Sequence, residues 1–199
     1  MINSKEWRER PGSVGKCRSG AIHICDDEGH ELPVGGIGNI YFEGGYDFEY
    51  LNDPEKTRKA RHPSRPGLAT LGDIGYMDDE GYLFLTDRKN FVIISGGVNI
   101  YPQEAENILV QHPDVYDAAV FGIPNVDMGE EVKAVIQPKD WSKASPEFAQ
   151  TLIDYCREKL TTYKCPKSID FEKSLPRQDN GKLYKKVLKA KYWESPTAH

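Results

Sequence analysis

The chain has 199 residues, of which 38% are hydrophobic and 29% charged, with a net charge of −5. That balance suits a globular protein of one or two domains. The acidic total argues against a general nucleic-acid footprint, and no run reaches the ~20 apolar residues of a membrane-spanning helix.

The N-terminal stretch is polar, without an apolar signal core, so a cytoplasmic location is expected. Cys17, Cys25, Cys156 and Cys165 form no CxxC pair and lack histidines at zinc-ligand spacing, which reads as four reduced thiols and no metal centre. Residues 1–20, with Pro11, Gly12, Gly15 and Gly20, read as a loop. Strand-like runs follow at Ala21 to Cys25 and Ile37 to Phe42, with the turn Asp26-Asp27-Glu28-Gly29 between them. The same device, Asp78-Asp79-Glu80-Gly81, separates runs at Ile74 to Tyr76 and Tyr82 to Leu85. Two such hairpins predict a small antiparallel, barrel-like β unit. Residues 43–69, rich in Gly, Pro and charge, read as an irregular or partly helical connection.

After Thr86 the pattern changes. Phe91 to Ser95 is a strand-like run ending at Gly96-Gly97, and Pro102 opens a helix with Glu104 and Glu106 in its first turn. Val115 to Ile123 and Glu130 to Gln137 read as strands. Ser145-Pro146 starts a helix on which Phe148, Leu152, Cys156 and Leu160 recur at helical spacing. A short strand at Ser168 to Phe171 and a basic helix at Leu183 to Trp193 complete the chain. The predicted fold is α+β. Residues 1–86 form the β unit and residues 87–199 an α+β domain with helices packed on a mixed sheet.

Three constellations carry chemistry. In Thr70-Leu71-Gly72-Asp73-Ile74-Gly75, a carboxylate at a strand entry sits between glycines. Such a group suits a vicinal diol such as a ribose, although a turn-capping aspartate is the commoner use wherever glycines cluster. Asp87-Arg88 marks the boundary of the β unit and leads to Gly96-Gly97. Boundary residues can absorb the backbone rotation of a hinge, arginine suits oxygen anions, and a glycine pair admits close approach. A solvated linker with a tight turn has the same signature. In Leu175-Pro176-Arg177-Gln178-Asp179-Asn180-Gly181-Lys182, the Asn-Gly turn presents Lys182 ahead of the last helix. The lysines that follow, Lys185, Lys186, Lys189 and Lys191, read as a solvated basic face.

The order and spacing of GDIGYMDDEGYLFLTDRKNFVIISGGVNIYPQEAE, then YKCPKSI, then LPRQDNGK, resemble the adenylate-forming enzymes. These include acyl-CoA synthetases, firefly luciferase and the adenylation domains of peptide synthetases. SGGVNIYP is most similar to the CoA-ligase branch, and the likeness starts near Pro11. The resemblance implies that Asp73 binds the ribose of ATP and that Arg88 lies near ribose and phosphates. It implies that Asp87 is the hinge and that Lys182 is the catalytic lysine bridging substrate carboxylate and phosphate. Gly96 and Gly97 then fall in the segment closing over the pantetheine of CoA. The implied reaction joins a fatty or related carboxylic acid to CoA, with ATP giving AMP and pyrophosphate. Leu71 and Phe91 depart from the commonest pattern. The family's phosphate loop and its Tyr-Gly-x-Thr-Glu segment, which supplies a magnesium ligand, do not occur in the chain. A C-terminal fragment, inactive by itself and partnered by a missing N-terminal portion, is therefore expected. A stand-alone CoA- or nucleotide-binding module, one half of a split ligase, and an adenylation domain serving a carrier protein are the competing readings.

Overall fold

The computed structural model describes residues 1–44 and 48–193. The chain forms two compact units, Met1–Asn90 and Phe91–His199. The first opens with helix α1 (Ser4–Glu9), where a loop was expected. Its cap is a reciprocal pair: Glu6 N–H donates to Asn3 Oδ1 at 3.0 Å and Asn3 N–H donates to Glu6 Oε2 at 2.9 Å. This capping box satisfies two backbone donors that a helix start otherwise leaves open. Pro11 and Gly12, just downstream, masked it in the sequence.

Strands β1 (Ser13–Gly15), β2 (Ala21–Cys25) and β3 (Gly38–Glu43) follow, then helix α2 (Pro54–Lys59) capped by Asp53. β4 (Leu68–Ala69), β5 (Asp73–Met77) and β6 (Leu83–Arg88) complete the unit. They pair antiparallel in the order β1-β6-β5-β3-β2, with β4 on β3. This is an open path rather than a closed barrel. The Asp78 turn joins β5 to β6 as expected, because Asp78 Oδ1 accepts from the backbone N–H of Glu80 and of Tyr82, at 3.1 and 2.8 Å, and Gly81 takes φ +81°. The Asp26 turn does less than expected. It folds the chain back only far enough to pair Glu31 with Cys25, and residues 32–37 intervene before β3. Alternation along β2 and β3 puts Ile24 and Ile40 on one face with Leu83, and Cys25 and Tyr41 on the other with Leu68.

The second unit starts with the hairpin β7 (Ile93–Ser95) and β8 (Val98–Ile100), the second strand of which the sequence did not reveal. A 3-10 turn at Lys89–Phe91 takes the start of the predicted run. Helix α3 (Pro102–Leu109), strands β9 (Val115–Asn125) and β10 (Gly129–Pro138), helix α4 (Pro146–Arg157), strand β11 (Ser168–Phe171) and helix α5 (Lys185–Trp193) follow in order. β10 pairs antiparallel with β9 and β7 and parallel with β11, so the sheet is mixed.

Both sheet faces are covered. On one, Val120, Ile136 and Ile100 pack with Ala105 and Leu109 of α3 and Leu152 and Cys156 of α4. On the other, Ala119, Phe121 and Val135 pack with Leu188 of α5. At roughly 1.5–3 kcal/mol per fully buried large aliphatic or aromatic side chain, these two layers dominate the stability of the unit.

α5 is only in part the solvated basic face the sequence suggested: Lys186 and Lys191 are exposed, but the other lysines turn inward. Lys185 is buried against Glu106 of α3, with Nζ 2.7 Å from Oε1. Lys189 pairs with Glu130 and Lys191 with Glu172, each at 3.0 Å. Carboxylates distant in sequence turn a charged helix into one that packs.

All four cysteines are free thiols, and Cys17 alone is exposed. Burial pushes the Cys156 thiol up to about 12 and raises Cys25 and Cys165 as well. The thiolate is the reactive form. We expect a disulfide reagent at pH 8 to modify one thiol per folded chain rapidly, and the other three only on unfolding. Rapid labelling of Cys156 in the native protein, located by peptide mass mapping, would contradict this packing.

Candidate active site

The first cluster lies on β5 and β6. Thr70 is buried, and its hydroxyl accepts from Gly72 N–H at 3.0 Å. Gly72 takes φ +81°, and its carbonyl accepts from Lys89 N–H at 2.8 Å, so the approach to β5 is tied to the end of β6. Asp73 stands opposite Arg88 in the ladder, and Arg88 Nε lies 2.6 Å from Asp73 Oδ1. The structure thus brings together two residues singled out separately in the sequence. The Asp73 side chain is 19% exposed and that of Arg88 57%. An ion pair so open to water adds at most ~1 kcal/mol to stability, and its guanidinium edge stays available to an oxygen anion. Asp87 precedes Arg88 in β6, opposite Ile74, and its Oδ1 accepts from Arg88 N–H at 2.7 Å. A register shift between Ile74 and Gly75 leaves Thr86 as the extra residue of a bulge.

The two glycines flanking Asp73 do different work. A Cβ on Gly72 would meet nothing within 4 Å, whereas one on Gly75 would lie 2.2 Å from the Phe84 carbonyl oxygen. Gly75 is required by the neighbouring strand, not by a ligand. We expect Gly75→Ala to destabilise the chain by about 1–3 kcal/mol in urea unfolding, since backbone cannot yield as a side-chain tip can. Gly72→Ala carries only the left-handed strain of about 1–2 kcal/mol. Equal stability of Gly75→Ala and the parent would refute the close approach.

In the second unit, Gly96 (φ +56°) and Gly97 (φ +78°) form the two-residue turn between β7 and β8. Positive φ at both central positions is the type I′ hairpin turn. The pair is thus used first of all for turn geometry. Gly96 N–H donates to the Met128 carbonyl at 2.8 Å, which ties the hairpin to the start of β10. Both glycines are exposed, as are the flanking Ile94 and Val98.

Lys182 sits on the third element. Gly181 N–H donates to the Gln178 carbonyl at 2.8 Å, Gln178 N–H to the Lys182 carbonyl at 2.9 Å, and Tyr184 N–H to the Pro176 carbonyl at 2.8 Å. Arg177 and Leu183 form a β-bridge across this small ribbon. The bridge delays the start of α5 to Lys185. Lys182 is exposed, and among the described residues its ammonium has no hydrogen-bond or ion-pair partner.

Sequence reasoning passed over Arg177, Asp117 and Glu106. Arg177 donates from Nη1 to the Gly181 carbonyl at 2.6 Å and from Nη2 to Asp117 on β9. Glu106 Oε1 receives both Lys185 Nζ and, at 2.7 Å, the Val120 N–H. Phe91, a departure from the family pattern, lies with its ring centroid 5.1 Å from Lys185 Nζ and supports that ammonium by a cation–π contact. Only a three-dimensional arrangement reveals these partners; Glu106, expected in the first turn of α3, lies beyond it, and Glu104 alone is the acidic residue there.

Among the described residues one set of three potential metal ligands converges, Asp26, Glu28 and His30. Glu28 and His30 are exposed, and Asp26 already accepts from His30 N–H at 2.7 Å. The set lies on a surface turn and offers nothing to the residues above. No helix among the described residues is long and apolar enough to cross a membrane.

Residues 104–182 match the family described as the AMP-binding enzyme C-terminal domain. The long-chain-fatty-acid–CoA ligase FadD13 of Mycobacterium tuberculosis is 42% identical over 194 residues, covering 96% of this chain and 37% of that protein. The o-succinylbenzoate CoA synthetase MenE of Bacillus subtilis, solved with its acyl-adenylate intermediate, superposes with a TM-score of 0.81 at 33% identity, over 94% of this chain and 37% of its own. ATP-bound MatB of Rhodopseudomonas palustris superposes with a TM-score of 0.76 at 34% identity, over 92% of this chain and 36% of its own. The chain spans about a third of the length of the curated relatives it matches. Residues 104–182 thus match the AMP-binding enzyme C-terminal domains, within a chain that aligns along most of its own length with acyl-CoA ligases.

Proposed function

We propose that this chain is the C-terminal portion of an ATP-dependent, AMP-forming ligase that joins a fatty or related carboxylic acid to CoA in the cytoplasm. The observation that carries the reading is the presentation of Lys182. An exposed ammonium without an ion-pair partner among the described residues stands on a hydrogen-bonded turn, while Lys185, Lys189 and Lys191 of the following helix are each paired with a carboxylate. In the first half-reaction a carboxylate oxygen attacks the α-phosphorus, forming an acyl phosphate bond and releasing pyrophosphate. Two anions must meet, and negative charge spreads over the phosphoryl oxygens. The Lys182 ammonium screens that repulsion and stabilises the developing charge. Asp73 accepts the ribose hydroxyls, and Arg88, oriented by Asp73, faces ribose and phosphates.

In the second half-reaction the CoA sulfur attacks the acyl carbon and AMP leaves. Lys182 has no task there, whereas the Gly96-Gly97 turn borders a narrow path for pantetheine. Rotation of residues 87–199 about Asp87 would exchange one face for the other, a gating role for domain motion. The acyl pocket, the phosphate loop and the ligands of the magnesium that accompanies ATP are expected in the portion of the ligase outside this chain.

The isolated chain is therefore expected to release no pyrophosphate from ATP with fatty acids. Joined to an N-terminal portion bearing the phosphate loop, for which that of FadD13 is a suitable donor, it should support pyrophosphate exchange. Robust AMP and pyrophosphate release by the chain alone would refute the proposal.

A further inference from the structure

We infer that Arg177, itself oriented by Asp117, is a positioning residue for Lys182. The inference rests on the adenylation role proposed for that lysine. The peptide plane that fixes the Lys182 Cα contains the Gly181 carbonyl on one side and the Lys182 N–H on the other. Both are held from outside the plane. Arg177 Nη1 donates to the Gly181 carbonyl at 2.6 Å, and Lys182 N–H donates to Asn180 Oδ1 at 3.0 Å.

Gly181 takes φ +81° with open space around it, and glycine adjoins few barriers to rotation of that plane. Without Arg177 the plane keeps only the Asn180 hold, and its carbonyl end, with the lysine stem, gains freedom to turn. Asp117 anchors the guanidinium from the sheet. Its side chain is only 14% exposed, it receives Arg177 Nη2, and its Oδ1 accepts from Ala118 N–H at 2.9 Å. β9 pairs with β10 from Val115 to Asn125, with Asp117 opposite Gln137, and Ala118 to Phe121 beyond it are buried, so the reference point is firmly seated. Just past the turn, the Lys185–Glu106 pair fixes the beginning of α5. The loop carrying Lys182 is thus pinned before and behind by cations reaching two different elements, β9 and α3.

The arrangement is specific to arginine. A planar fork addresses a carbonyl and a carboxylate at once, which a single ammonium cannot do in fixed geometry. The Arg177 side chain is 47% exposed, so an ion pair there contributes little to global stability. The fork is better explained by orientation than by stability.

The test uses the complete ligase, with this chain joined to its N-terminal portion. Arg177→Met and Asp117→Asn are compared with Lys182→Met. Readouts are kcat and KM for ATP in pyrophosphate exchange, thioester formation from a supplied acyl-adenylate, and Tm. Displacement of a reacting group by about an ångström costs on the order of 100-fold in rate. We expect Arg177→Met to lower kcat of exchange by about 10- to 100-fold, with KM, the thioester step and Tm close to the parent. Arg177→Lys should restore part of the loss. In the chain as it stands, solvent exchange of the Lys182 amide should accelerate in Arg177→Met. Full exchange activity in Arg177→Met while Lys182→Met is inactive would overturn the positioning role alone. A fall in both half-reactions together with Tm would overturn it in favour of plain structural support. Full activity in Lys182→Met would instead remove the adenylation assignment on which it rests.

Discussion

Lys185→Met should lower the stability of the second unit by about 3–5 kcal/mol, the cost of stranding a buried charge. The side chains of Lys185 and Glu106 are 8% and 7% exposed, and their charged atoms meet at 2.7 Å. Removing the ammonium takes the cation away from a carboxylate that is itself buried. The Val120 N–H, 2.7 Å from Oε1, remains, yet a neutral donor does not replace a cation. The pair itself need not be worth so much, since two charges also lose their hydration on burial. The double variant Glu106→Gln with Lys185→Met should therefore regain a large part of the loss. Chemical unfolding of all three proteins gives the coupling directly. A single-variant loss below about 1 kcal/mol would mean that the pair is solvated.

Lys182→Met should reduce adenylate formation by the complete ligase about 100- to 1,000-fold, the range seen when one preorganised charge-stabilising donor is deleted. The same variant should keep its Tm, because the ammonium is exposed and has no partner among the described residues. It should also form thioester normally from a supplied acyl-adenylate, since no anion is then approaching phosphorus. This combination separates loss of a reacting group from loss of fold. An exchange rate within about threefold of the parent would refute the catalytic assignment; that is less than one kcal/mol of barrier.

What could be read from the sequence followed the range of the interactions. The β5–β6 turn was legible because Asp78, Gly81 and their bonds lie within a few residues. The apolar face of α4 was legible because Leu152 and Cys156 recur at helical spacing. β8 escaped because a three-residue strand has too little pattern to register. α1 escaped although Asn3 and Glu6 carried its capping signature. The alliances of α5 could not be foreseen: Glu106, Glu130 and Glu172 reach its lysines only once the sheet has formed. Of the candidate site, Asp73, Asp87, Arg88, Gly96, Gly97 and Lys182 were singled out by motif order. That Asp73 and Arg88 touch depends on hairpin register, including a bulge at Thr86 that no alternation pattern announces.

The ribbon from Arg177 to Leu183 also has a fixed length. Each added residue extends a chain by up to ~3.8 Å, a large distance beside the tolerance of a reacting ammonium. An insertion between Gln178 and Gly181 would leave every buried side chain of the unit in place and still carry Lys182 off target. The number of residues in this segment therefore matters as well as their identity, unlike surface connections in general, where spare length costs little.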